Sequence, residues 1–96
     1  MIKIKVKKSD GGLISPVDML NTPHGTVFQQ FFDGKAQKNY YVSCGHAEES
    51  VINIWYSDES KKWALSTDDK KSLLGLTSPV MVKKIDAELE IELNVK

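Results

Sequence analysis

From Ile85 to Val95 the chain alternates without interruption. Apolar Ile85, Ala87, Leu89, Ile91, Leu93 and Val95 are separated by polar Asp86, Glu88, Glu90, Glu92 and Asn94. Successive side chains of a β-strand point to opposite faces, so a period of two makes one dry face and one wet face. A helix would scatter the same residues around its circumference. A second ribbon of this kind stands at residues 2–8, where Ile2, Ile4 and Val6 alternate with Lys3, Lys5 and Lys7. Its wet face is lysine, and that of the last strand is nearly all glutamate. Opposite charges on cross-strand neighbours contribute about 0.2–1 kcal/mol per pair. The complementarity predicts that the first and last strands lie side by side, a pairing that helps to close a sheet into a barrel. The alternative is that each charge row blunts its own open edge against aggregation.

Between these ribbons the signals are shorter. Ser9-Asp10-Gly11-Gly12 is turn chemistry. Ser15-Pro16-Val17-Asp18 reads as one helical turn, with a serine cap, proline at the first helical position and a carboxylate three residues after the serine. Met19 and Leu20 form its apolar side, and Asn21-Thr22-Pro23 ends it. Strands are expected over Gly25–Phe32, Asn39–Cys44, Val51–Tyr56 and Lys62–Ser66. Asp33-Gly34 marks a hairpin, with a loop longer than two residues because the next clear strand begins near Lys38. Gly45–Glu49 is a loop and Ser57–Lys61 a polar turn. Thr67-Asp68-Asp69 caps a short helix through Leu73 and Leu74, after which Pro79 opens the run Val80–Ile85.

The phase of that run is informative. Val80 and Val82 occupy even positions, whereas from Ile85 onward the apolar residues are odd. A strand with one dry face changes phase only through an inserted residue, which predicts a bulge or sharp bend near Lys83-Lys84. The expectation is a mainly β protein, one domain over residues 1–96. Its architecture would be a small barrel or strongly curled antiparallel sheet of about six to seven strands, with one or two short helical turns.

Thirteen basic and thirteen acidic residues cancel. That argues against general duplex nucleic-acid binding, which rests on clustered positive charge. It argues equally against a DNA mimic. Near-zero net charge offers little protection against self-association, so a dimer or small oligomer is expected. A single cysteine, Cys44, forms no intramolecular disulfide and points to a reducing compartment. No signal-peptide pattern is visible, and no apolar run approaches the ~20 residues of a membrane helix. A cytoplasmic location, without a membrane partner, is the expectation.

The strings Pro23-His24-Gly25-Thr26-Val27-Phe28, Tyr40-Tyr41-Val42 and Ile85-Asp86-Ala87-Glu88-Leu89 together resemble small bacteriophage-encoded β proteins. In those, a one-turn helix leads into a Pro-x-Gly-Thr-x-Phe strand and the chain ends in a Val/Ile-Asp-Ala-x-Leu strand. The motifs are structural, with Gly25 a tight turn into the strand, and His24 stands where such proteins vary. The Gly45–Ser50 loop and the Thr67–Ser78 segment are longer here than in that pattern. The resemblance implies a phage or prophage accessory protein in the bacterial cytoplasm, and no particular activity.

Cys44 and His46 are two apart and share a face on a continuing strand. A thiolate–imidazole pair is the minimum for cysteine nucleophilic chemistry or half a zinc site. The only other histidine is His24 and there is no second cysteine, so the ordinary reading is a small core residue and a solvated loop histidine. Glu48, Glu49, Asp58, Glu59, Asp68 and Asp69 fall among serines and lysines in turns, where solvated charge is the ordinary explanation. No phosphate loop, nucleophile elbow or His-Glu-x-x-His is present. No catalytic residue, metal or cofactor is assigned, and an enzyme is not expected.

Trp55, Tyr56, Trp63, Tyr40 and Tyr41 are the prominent aromatics, with Lys61 and Lys62 beside Trp63. Aromatic faces flanked by lysines on a β surface stack bases, and tryptophan and tyrosine also dominate protein interfaces. About half of such residues must instead fill the core. On the Val51–Tyr56 strand, Asn53 marks the face it shares with Val51 and Trp55 as the wetter one, so Trp55 is the first choice for an exposed aromatic. Trp63 shares parity with Leu65 and is assigned to the core. The candidate binding residues are Trp55, Tyr41, Lys61 and Lys62. The leading reading is a non-catalytic module that docks on a host or viral protein, for instance as an inhibitor of a host defence protein. The alternatives are an oligomeric binder of a nucleotide or single strand through Trp55, Tyr41 and Lys61, and a virion structural component.

Overall fold

The lysine ribbon and the glutamate ribbon are neighbours. In the computed structural model, which describes residues 2–45 and 47–91, β1 (Ile2–Ile14) and β6 (Val80–Ile91) pair antiparallel. Their register sets Lys3 opposite Glu90, Lys5 opposite Glu88 and Ile4 opposite Leu89. The remaining strands are β2 (Val27–Phe32), β3 (Lys35–Ser43), β4 (Ser50–Ser57) and β5 (Lys62–Asp69). Together the strands make one six-stranded sheet in the order β1-β6-β2-β3-β4-β5. β1 and β5 remain at opposite edges, so the pairing of the first and last strands does not close a barrel. The architecture is an open, curled sheet. No helix among the described residues is long and apolar enough to cross a membrane.

Two short helical elements cover one face. A 3-10 helix (Pro16–Asn21) begins after Ser15, whose side chain makes no cap; its carbonyl instead accepts from the N–H of Asp18 at 3.0 Å. Helix α1 (Lys70–Leu74) starts at Asp69, whose carboxylate accepts from the N–H of Ser72 at 2.9 Å, the expected capping arrangement moved to the last of the three candidates. Met19 and Leu20 from the first and Leu73 from the second pack on Phe28, Tyr41, Val51 and Val82 of the sheet. Met19, Leu73, Val51 and Val82 are wholly buried. Burying such a side chain contributes about 1.5–3 kcal/mol, so this layer holds most of the stability of a small domain.

Among the described residues, the opposite face carries no helix. There Tyr40, Ile54 and Ile85 are buried among Ile4, Val27, Val42, Trp63 and Ala87. This second cluster corrects the expected bulge in β6. Pairing of β2 with β6 is unbroken from Phe28 opposite Lys84 to Phe32 opposite Val80. Val82 enters the helix-covered core and Ile85 the open-face cluster. The apolar phase changes because the sheet is greasy on both faces, without a residue inserted in β6. The irregularities lie in β1 instead, where register shifts separate Val6 from Lys8 and Ser9 from Leu13. Ser9-Asp10-Gly11-Gly12 is therefore a bulged stretch of a continuing strand, with Gly11 at φ 74.

A further correction concerns the β2–β3 hairpin. Phe32 pairs with Lys35, so the loop is the two residues Asp33 (φ 50) and Gly34 (φ 77). Positive φ at both positions is the tight hairpin turn that Asp-Gly favours. The missing strand signal after it reflects a register shift between Gln29 and Phe31, filled by the Gln29 Nε2 bond to the Gln37 carbonyl at 3.0 Å. Residues 92–96, which continue the alternation to Val95, lie outside the described residues, as does His46.

Candidate functional site

The end of the sheet formed by the β4–β5 hairpin gathers the aromatic residues. Antiparallel pairing runs without a break from Ser50 opposite Asp69 to Ser57 opposite Lys62. The turn closes with Lys61 in the left-handed region (φ 58), its N–H donating to the Ser57 carbonyl at 2.8 Å. Trp55 pairs with Ala64 two rungs before Ser57 pairs with Lys62, so Trp55 and Lys62 share a face. Trp55 is half-buried, and Lys61 and Lys62 are exposed.

Trp55 borders a cleft of about 430 Å³ with Gln30, Lys38, Asn39, Tyr56 and Asp58. The floor is a ladder of amides crossing three strands. Asn53 Nδ2 donates to Asn39 Oδ1 and to the Tyr40 carbonyl at 3.1 Å. Asn39 Nδ2 in turn donates to Gln30 Oε1 at 2.9 Å, and the Tyr41 hydroxyl donates to the same oxygen at 2.6 Å. No buried side-chain polar atom among the described residues lacks a partner. A satisfied ladder of this kind is rigid, so Trp55 is presented by neighbours that are already fixed.

On the open face, the Trp63 ring lies 5.4 Å from that of Tyr56, edge to face, and 6.2 Å from that of Tyr40. Lys38 Nζ sits 5.0 Å from the centre of the Tyr56 ring, within cation–π range. Beside this cluster Ile52 and Leu65 remain 38% and 49% exposed. Trp63 thus joins a core cluster as expected, while Leu65 does not.

Tyr41 is the residue the sequence misplaced. Expected to stack on a ligand, it is 2% exposed and belongs to the helix-covered core. Its ring fills the layer beneath Met19 and its hydroxyl is held by Gln30, so neither is free for a partner. Burial, with Asp68 adding to it, pushes the phenol up to about 12. Asn53 misled in the same way: it is 8% exposed, a buried amide satisfied by the ladder and no sign of a wet face. Gln30, Asn39 and Lys38 were missed altogether. Their signal was available only by aligning amides across neighbouring strands.

The remaining candidates do not converge. Cys44 is half-buried at the end of β3, its N–H donating to the Ser50 carbonyl at 3.1 Å. His24 is exposed and lies against Gly45. Glu48, Glu49, Asp58 and Glu59 are exposed, and no three histidine, cysteine or acidic side chains among the described residues are grouped to hold a metal. Comparison with protein-family models, curated proteins and solved structures finds no significant match.

Proposed function

We propose that the protein is a non-catalytic binding module that docks on another protein through Trp55 and the Lys61–Lys62 rim of the β4–β5 hairpin. The observation that carries this reading is a half-buried tryptophan that borders a cleft over a hydrogen-bonded amide floor. A large aromatic ring in a preformed, partly polar cleft is the chemistry of an interface anchor, and fixing it in advance lowers the cost of association. The likeness of Pro23–Phe28 and Ile85–Leu89 to phage-encoded β proteins supports a phage or prophage accessory protein in the bacterial cytoplasm. Its partner would then be a host or viral protein, a host defence protein among them. The nucleotide reading is weaker because Tyr41, one of its three groups, is buried.

Affinity capture from host lysate with the wild type and with Trp55→Ala tests the assignment. Loss of a specific partner, with the circular dichroism of the fold unchanged, is the expected result. Retention of every partner by Trp55→Ala would show that this is not the docking site. A thermal-shift response to nucleotides, cyclic dinucleotides or short oligonucleotides would replace the protein-binding reading with the ligand-binding one.

A further inference from the structure

Among the described residues, β6 has a partner strand on only one side over half its length. It pairs with β1 as far as Ile91, but its pairing with β2 ends where Phe28 faces Lys84. The segment before β2 is drawn away to β3: the N–H of Gly25 donates to the Ser43 carbonyl at 2.8 Å, and the N–H of Ser43 to the Thr26 carbonyl at 2.9 Å. Among the described residues, no strand therefore flanks this edge of β6 from Ile85 to Ile91. Between the two parting segments lies a cleft of about 350 Å³ lined by His24–Val27 and Lys84–Ala87. In a strand every second residue turns its N–H and C=O to a given side, so this edge offers a row of backbone donors and acceptors.

The sequence of the edge states what it fits. Its polar positions are Asp86, Glu88 and Glu90, all acidic, separated by Ile85, Ala87, Leu89 and Ile91. The same strand already shows its preferred neighbour on the other side, where the Ile-Lys alternation of β1 places Lys5 opposite Glu88 and Lys3 opposite Glu90. A second acidic strand would place like charges opposite one another, which is destabilising. We propose that the cleft between His24–Val27 and Lys84–Ala87 is a strand-addition site for an extended segment of a partner protein in which apolar residues alternate with lysine or arginine. Backbone bonds to β6 supply the register-independent part of the affinity, and the acidic row selects the basic segment. This surface is separate from Trp55, which lies on β4, on the far side of β2 and β3.

The probe is a blocked heptapeptide, Val-Arg-Val-Arg-Val-Arg-Val, titrated into the full chain and followed by amide NMR. Saturable shifts and slowed exchange at His24–Val27 and Ile85–Ile91 are expected, with no response to the peptide carrying glutamate in place of arginine. The triple variant Asp86→Asn, Glu88→Gln, Glu90→Gln should weaken binding about 3- to 150-fold, three cross-strand charge pairs converted to affinity. Asp86→Asn alone, an exposed substitution, should weaken it less and keeps the test usable if the triple variant does not fold. Trp55→Ala should leave the affinity unchanged even if it abolishes partner capture. Equal binding of the acidic peptide, shifts confined to the outer edge of β1 or to β5, or self-association that excludes the peptide would each overturn the proposal, the last by giving the slot to a second copy of the chain.

Discussion

The hydroxyl of Tyr41 donates to Gln30 Oε1 at 2.6 Å, tying β3 to β2 at the border between the helix-covered core and the Trp55 cleft. Removing it with Tyr41→Phe keeps the ring and leaves Gln30 Oε1 with its bond from Asn39. The expected cost is about 1 kcal/mol in urea unfolding at neutral pH. The variant should also change the alkaline limb. Burial, then the nearby Asp68, pushes the phenol from its ordinary 10.0 to about 12. A raised folded value means that the stability is fully present below pH 10 and is lost as pH rises toward 12, because the unfolded chain ionises first. Tyr41→Phe should flatten that loss without abolishing it, since Tyr40 is also raised by burial. An unchanged alkaline slope would show that Tyr41 does not carry it.

Asp68 and Asp69 should respond to pH with opposite signs. Partial burial, then the charge of Asp69, raises the Asp68 carboxyl above its ordinary value, so its contribution is present at low pH and lost as pH rises through the folded value. Asp68→Asn should therefore be more stable than wild type at neutral pH, with the difference vanishing below about pH 4, near the ordinary carboxyl value. Asp69 is lowered by its bonds from Ser72 at the start of α1. Asp69→Ala should be destabilised at neutral pH, and that deficit should shrink as the wild type is acidified. Thermal melts across the acid range distinguish the two.

What the sequence disclosed depends on strand periodicity or on bonds between residues a few positions apart. Lysine opposite glutamate between β1 and β6 follows from two alternating ribbons and a rule about cross-strand charge. The Asp69 cap follows from local hydrogen bonding. What stayed hidden depends on which face a residue meets once several strands are assembled. Asn53 and Tyr41 are polar-edged residues that look exposed one strand at a time, and only the juxtaposition of β2, β3 and β4 buries and satisfies them. The phase change in β6 misled for a related reason: a period of two assumes one dry face, and this sheet has an apolar cluster on each. Of the candidate binding residues, Trp55 lines the cleft and Lys61 and Lys62 do not, while the cleft's amides Gln30 and Asn39 come from β2 and β3.

A side chain at Gly34 should cost stability through the backbone alone. It sits at φ 77 as the second residue of a two-residue hairpin loop, after Asp33 at φ 50. The left-handed conformation costs an L residue about 1–2 kcal/mol, more for a β-branched one. No atom lies within 4 Å of a Cβ built there, so Gly34→Val would report backbone strain and not a clash. The expected loss of about 1–2 kcal/mol in urea unfolding would be absent if the loop had relaxed to another turn.

Leu73 and Leu74 are adjacent on α1 yet differ completely in environment, the first 0% and the second 56% exposed. Leu73→Ala should cost about 2–5 kcal/mol, because it leaves a cavity between α1 and the 3-10 helix where Met19 and Leu20 cannot fully collapse. Leu74→Ala should stay within about 0.5 kcal/mol of wild type. Since a domain of this size is held by only a few large burials, Leu73→Ala should also broaden or abolish cooperative melting. Equal effects of the two substitutions would mean that α1 is not docked as described.

The two tryptophans should separate stability from recognition. Trp63 is clasped by Tyr56 at 5.4 Å and Tyr40 at 6.2 Å and packs against the Ile54 cluster. Trp55 has no aromatic ring partner among the described residues and borders the open cleft. Each aromatic contact contributes about 0.5–1.5 kcal/mol beyond area burial. Trp63→Ala should therefore lose about 1–3 kcal/mol more than Trp55→Ala, two such contacts against none. Partner capture should show the reverse order when compared well below the melting temperature, with Trp55→Ala losing the partner and the milder Trp63→Phe keeping it. A Trp55→Ala protein destabilised as much as Trp63→Ala would assign Trp55 to the scaffold and remove it from the docking surface.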